Sequence, residues 1–186
     1  MPDEPIDRIL DAAYACFTRH GVRRTTMDDI AAAAGMSRPA VYQYVRNKDD
    51  AFRRLATRLF DGALAEARAA AERDQPLAER LYRVTAAKLD LTLKLWQDTP
   101  HAAELLDAGA RLSGDLGDKF LAEIRALLTT TIATSDLNLH GIDASEIADI
   151  ALALNYGLEK DLASPQRARR RLRLAIDLLL AGLAHR

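Results

Sequence analysis

Between Arg19 and Lys48 the chain carries six cations, Arg19, Arg23, Arg24, Arg38, Arg46 and Lys48, against two anions, Asp28 and Asp29, a local balance of +4. The 186-residue chain as a whole has a net charge of only −1, so these cations are concentrated rather than general. A basic patch on a near-neutral protein suits a module that meets phosphate on one face only. The same stretch holds what a helix-turn-helix requires: a small residue where two helices cross, a turn residue that tolerates positive φ, and buried anchors for the second helix. Ala31, Gly35, Met36 and Val41 supply these in order. The outward residues of the second helix are then Arg38, Pro39, Ala40, Gln43 and Tyr44, placed to face a major groove with the N-terminal ones nearest the bases.

The elements that must position these residues are legible in caps and periodicity. Ile6, Ile9, Leu10, Ala13 and Phe17 form an i, i+3, i+4 stripe, and Gly21 supplies a helix stop. Thr26 with Asp29 three residues on, Ser37 before Arg38-Pro39, and Asn47 with Asp50 are three helix starts within about twenty residues. Helices this short are marginal alone, so Ile30, Ala31, Val41 and Val45 are expected to pack against the first helix. The third cap opens a long helix reaching about Arg73. Further boundaries fall at Gln75-Pro76, Thr99-Pro100, Ser113-Gly114, Ser135 to Gly141 and Ser164-Pro165, which predicts an all-α fold of about nine helices. Leu89, Leu91, Leu93 and Leu95 alternate with period two, a strand pattern in isolation. The run from Pro76 to Gln97 has no breaker, so it is read as a central, largely buried helix.

Gly21, Thr25-Thr26, Asp29-Ile30-Ala31, Ala34-Gly35-Met36-Ser37, Val41-Tyr42-Gln43-Tyr44-Val45 and Asn47-Lys48 together resemble the TetR family of bacterial regulators. The likeness covers Ile6 to Phe52, about the first quarter of the chain; the remainder shares only length and helical character with the family's variable ligand domains. It implies a helix-turn-helix DNA-binding domain over residues 1–48 and a helical ligand-binding and dimerisation domain over 49–186. It further implies phosphate contacts from Thr26 and Lys48, and contacts from Tyr42 and Tyr44 to phosphates or thymine methyls, with packing as the alternative role for either tyrosine. Ser37 and Pro39 join the implied DNA-contacting set. Base reading falls to Arg38, able to make a bidentate contact with guanine O6 and N7, and to Gln43, whose amide pairs with adenine N6 and N7. Ala40 is placed to touch a thymine methyl.

Regulators of this type read palindromic double-stranded operators as dimers, with heads about 34–36 Å apart. Leu172, Ala175, Ile176, Leu179, Leu180 and Leu183 form one apolar stripe in the last helix, and Ile147, Ile150, Ala151, Leu154 and Leu158 another in the helix before it. Leu174 and Leu178 lie on a second side, so the last two helices are expected to face both a core and a partner copy; an intramolecular core explains the first stripe equally well. Arg167, Arg169, Arg170, Arg171 and Arg173 are read as a solvated face paired with Glu146, Asp149, Glu159 and Asp161 rather than as a second nucleic-acid patch. The family also implies an unidentified small-molecule effector held by the middle helices. Tyr82, Lys88, Trp96, His101, Leu105, Arg111 and Tyr156 interrupt the small Ala/Leu background there and are the candidate ligand contacts, with core filling or solvated surface as the alternative for each.

Other classes find little support. There is no Gly-rich phosphate loop, nucleophile elbow or His/Cys pair at ligand spacing, and His20, His101, His140 and His185 are scattered singly, so neither an enzyme nor a metal site nor a cofactor is expected. The lone Cys16, set in an apolar pattern beside Phe17, reads as a packed thiol in a reducing compartment. No stretch approaches 18 uninterrupted apolar residues and the N-terminus is acidic, which favours a cytoplasmic protein without a membrane span. The expected function is a repressor released from its operator by a ligand. A ligand-independent regulator or activator is the alternative, and a helical interaction module without DNA binding is the most distant one.

Overall fold

A computed structural model describes residues 4–159 and 164–184. Among the described residues there are eight helices and no strand: α1 (Pro5–His20), α2 (Met27–Ala33), α3 (Arg38–Tyr42), α4 (Lys48–Glu72), α5 (Leu77–Asp98), α6 (Ala102–Ala133), α7 (Ala144–Leu158) and α8 (Pro165–Ala184). The expected ninth helix is absorbed at Ser113. That residue leaves helical geometry (φ −143°, ψ 21°), but α6 resumes beyond it as a kinked helix. Arg53 of α4 explains why the break is tolerated: its Nη1 donates to the Leu112 carbonyl at 3.1 Å and to Asp115 Oδ1 at 2.6 Å, so a side chain takes over a backbone acceptor at the kink.

The chain divides into two compact units. The first comprises Met1–Phe60 and Leu95–Asp118. Its core joins Ile9, Ala13 and Phe17 of α1 to Ile30 and Ala31 of α2, Val41 and Val45 around α3, Phe52 and Leu55 of α4, and Leu105 and Ala108 of α6. The Phe17 and Phe52 rings meet at 5.5 Å between centroids, tilted by 56°. Ile30, Ala31, Val41 and Val45 are thus buried as the amphipathic pattern requires, and they hold two helices of seven and five residues that would not persist alone. Cys16 is buried in this core, and burial pushes its thiol pKa up, as expected for an inert thiol.

The second unit comprises Asp61–Lys94 and Lys119–Arg186. The alternating leucines lie in α5 as a helix, with Leu89 and Leu93 fully buried one turn apart and Leu91 and Leu95 partly buried. Asn155 of α7 is fully buried, and its Nδ2 donates to the Thr85 carbonyl of α5 at 2.8 Å.

Two arginines of the α8 run, Arg169 and Arg173, are ion-paired, and their partners here lie on α5. Arg169 Nε donates to Asp90 at 2.6 Å, while Arg173 pairs with Glu79 and lies 3.8 Å over the Tyr82 ring, all on α5. Asp149 is taken by Arg125 of α6 at 2.6 Å and Glu159 by Lys88 of α5. Arg169 and Arg173 lie one turn apart on α8 and both reach α5, so neighbouring position in sequence did not decide their pairing. Asp161, another expected partner, lies outside the described residues. No described helix is long and apolar enough to cross a membrane.

Candidate nucleic-acid interface

Each element of the head is set by local chemistry. Thr26 caps α2, and a reciprocal box closes its first turn: Asp29 N–H donates to Thr26 Oγ1 at 3.2 Å, and Thr26 N–H donates to Asp29 Oδ2 at 2.8 Å. These bonds, the Thr26 hydroxyl's first, lower the Asp29 pKa below the usual carboxylate range. Gly35 makes the turn at φ +63°, after which Met36 N–H returns to the Ala31 carbonyl at 3.0 Å. Ser37 Oγ accepts the Ala40 N–H at 3.3 Å and starts α3 with Pro39 in its first turn. Asn47 Oδ1 accepts the Asp50 N–H at 2.8 Å, while Asp50 accepts the Arg46 N–H at 2.9 Å, which opens α4 beside Lys48.

These caps bring the expected DNA-contacting residues onto the surface of the head. Thr26, Ser37, Arg38, Pro39, Tyr42, Gln43 and Tyr44 are exposed, and Ala40 is half-buried. Val41 and Val45, interleaved with them, are buried, so α3 and the turn after it divide into an anchoring side and an exposed side. Lys48 is half-buried: its Nζ donates to the Arg23 carbonyl at 3.2 Å, tying the start of α4 to the turn before α2. Arg38 is also engaged. Its Nη1 lies 3.0 Å from Asp28 Oδ2 and its Nη2 3.3 Å from the Tyr42 hydroxyl. The sequence alone marks Asp28 only as one of the two anions of the head, although an acid and a base flanking a tight turn are a detectable signal.

Glu104 is the other participant that sequence reasoning missed. From the first turn of α6 its Oε1 accepts the Arg23 N–H at 2.7 Å, across 81 residues of sequence. An open crevice of about 360 Å³ lies nearby, lined by Arg19, His20, Arg24, Asp29 and His101.

The seven candidate ligand residues do not converge on one place. Lys88 and Tyr156 meet, with the ammonium 4.1 Å from the ring centroid, and Glu159 and Thr92 complete that cluster. Tyr82 lies apart under Arg173 and borders a crevice of about 450 Å³ with Asp90 and Arg169. Leu105 is packed in the core of the first unit, and His101 belongs to the crevice beside the head. Trp96 and Arg111 are exposed.

Comparison with known proteins agrees with this geometry. Residues 9–55 match the family model described as bacterial regulatory proteins, tetR family. An uncharacterised HTH-type transcriptional regulator of Bacillus subtilis, YhgD, is 33% identical over 102 residues, an alignment spanning 50% of this chain and 53% of the relative. An HTH-type transcriptional repressor of Mycobacterium tuberculosis is 28% identical over 123 residues, 64% of this chain and 66% of the relative. The chain therefore spans between about half and two thirds of these relatives. Among solved structures, the SmeT-triclosan complex superposes with a TM-score of 0.72 at 23% identity, covering 96% of this chain and 90% of that one, a likeness of fold. The head, residues 9–55, is thus similar to the tetR family of bacterial regulatory proteins, and the all-helical fold is shared with a solved structure along nearly the whole chain.

Proposed function

We propose that this protein is a dimeric, sequence-specific transcriptional repressor that leaves a palindromic operator when a small molecule binds. The observation that carries the reading is the exposed side of α3 and of the turn after it. Arg38, Gln43 and Tyr44 stand exposed between buried anchors on a basic segment, flanked by Thr26 and Lys48 at two helix starts. In this reading residues 1–48 bind DNA and residues 49–186 bind effector and partner. Arg38 reads guanine, Gln43 reads adenine and Ala40 meets a thymine methyl. Thr26, Ser37, Pro39, Tyr42, Tyr44 and Lys48 seat the module. Because its target is bacterial operator DNA, the protein acts in the cytoplasm.

The dimer surface is the outward side of the last two helices. Ile150 and Leu154 on α7 and Leu174 and Leu178 on α8 are exposed, although large apolar residues elsewhere on these helices are buried. That is the pattern of a helix pair with a second apolar face to cover. For the effector, the Lys88–Tyr156–Glu159 cluster is the best-formed group among the candidate residues. Support for a ligand comes from SmeT, solved with triclosan and described as the repressor of a multidrug efflux pump. A ligand acts as inducer only through unequal affinity for the free and the operator-bound states.

Selection of bound duplexes from a randomised pool tests the whole reading. It should return a palindrome whose half-sites are about 10 base pairs apart or a multiple of that, bound with steep salt dependence. Recovery of no common sequence sinks it.

A further inference from the structure

Arg38 is already held before any DNA arrives. One nitrogen of its guanidinium lies 3.2 and 3.0 Å from the two oxygens of Asp28, and the other donates to the Tyr42 hydroxyl at 3.3 Å, with Cζ 5.5 Å from that ring's centroid. Both partners of the ion pair are more than half exposed, at 54% and 66%. Such a pair adds little to stability, because water screens it.

Asp28 stands in the first turn of α2, and Arg38 is its side-chain partner among the described residues. The first turn of α2 is closed by Thr26 with Asp29, and Asp28 takes no part in that box. What it does place is a carboxylate on the side of the head that carries Arg38, where DNA would bring phosphates. A bare carboxylate there is repelled by the polyanion, and a paired one withholds a cation from it.

We infer that Asp28 is a specificity-determining residue of the reading head, competing with DNA for Arg38 so that the arginine is surrendered only to a base offering two acceptors. The inference rests on Arg38 being a base reader. Guanine presents O6 and N7 to two nitrogens of the guanidinium fork, so it replaces at once the Nη1 contact with Asp28 and the Nη2 contact with Tyr42. Other base edges do not return two well-aligned acceptors, and a phosphate, which can, is repelled by the Asp28 carboxylate that it would displace. On such DNA, Arg38 either stays with Asp28 or leaves a carboxylate unpaired beside the backbone. Both outcomes penalise the wrong sequence more than the right one, which is discrimination by rejection rather than by added attraction. Tyr42 holds the guanidinium from one turn along α3 and limits the positions from which it can be recruited.

The test uses two duplexes of equal length, one selected by the full-length protein from a randomised pool and one with that sequence shuffled. Affinity is measured for both at several salt concentrations. Asp28→Asn should tighten binding to the shuffled duplex about threefold to tenfold and steepen its log K against log salt slope by about 0.9, one additional phosphate contact. The selected duplex should gain less, so the selectivity ratio falls. Asp28→Glu restores the charge and should recover most of the ratio, which a role confined to folding would not produce. In an Arg38→Ala background, Asp28→Asn should leave the ratio unchanged. If Asp28→Asn alters neither ratio nor slope while Arg38→Ala collapses the ratio, the inference is overturned and the base-reading role stands. If Arg38→Ala weakens both duplexes equally, base reading itself is wrong and the inference goes with it.

Discussion

Glu104 accepts the backbone N–H of Arg23 at 2.7 Å while its carboxylate lies over Gly21, so the first turn of α6 is fastened to the turn that leads into the helix-turn-helix. Gly21 has φ +79°, and a Cβ added there would sit 2.4 Å from Glu104 Oε2. Gly21→Ala therefore combines left-handed strain with displacement of Glu104. It should cost about 1–2 kcal/mol in urea unfolding from the backbone alone, with a further loss from the broken contact. In a Glu104→Ala background only the backbone part should remain. Equal losses in both backgrounds would show that Glu104 does not matter at this turn.

The capping box gives the head a dependence on acid. The hydrogen bonds from Thr26 lower the Asp29 pKa, so the charged form is favoured in the folded state. A carboxyl with a depressed folded pKa contributes stability above its unfolded pKa and loses it as pH falls through the folded value. Amide exchange at Thr26 should therefore accelerate on acidification below the ordinary aspartate range, earlier than in the core of α1. Asp29→Asn should remove that step from the pH profile.

Thr26→Ala removes the hydroxyl half of the same box and should cost about 1 kcal/mol. As a proposed phosphate contact, Thr26 should also matter to binding. Its loss should weaken selected and shuffled duplexes by the same factor. Lys48→Ala should do likewise and reduce the salt slope by about 0.9, even though its ammonium also ties to the Arg23 carbonyl. A loss specific to one sequence would assign either residue to base reading.

In the second unit, Lys88 and Glu159 form an ion pair whose side chains are only 12% and 16% exposed. Glu159 sits at the C-terminal end of α7, where the helix dipole disfavours a negative charge. Lys88→Met leaves that carboxylate with the Thr92 hydroxyl at 3.3 Å and should destabilise by about 3 kcal/mol. Adding Glu159→Leu should recover most of the loss. A double variant no better than the single would mean that packing around the lysine stem, rather than the orphaned charge, sets the cost.

The proposed dimer is the simplest to break. Ile150→Asp with Leu178→Glu places two charges on positions that are 47% and 63% exposed in the monomer, so the monomer should stay folded. Sedimentation should shift from dimer to monomer, and operator affinity should fall with it. A dimer that survives both substitutions has its interface elsewhere.

The head is legible in the amino-acid sequence alone, because each instruction there is local. Thr26 finds Asp29, Ser37 finds the Ala40 N–H and Asn47 finds the Asp50 N–H, each three residues on, and Gly35 turns the chain through its own φ. The helical reading of Leu89 to Leu95 held because an unbroken run of helix formers outweighs a short alternating pattern. Tertiary structure decided what depended on which helices become neighbours. Ser113 reads as a break in any sequence, but whether α6 ends or kinks there depends on Arg53, sixty residues upstream, reaching the freed carbonyl. Arg169 and Arg173 found Asp90 and Glu79 on α5, and Lys88 found Glu159 71 residues away. Charge pairing is short-ranged and indifferent to sequence distance, so its partners are chosen only after apolar packing has set the helices side by side. The pairing of Asp28 with Arg38 belongs to the same class: both residues were visible from the start, but only the crossing of α2 and α3 brought them together.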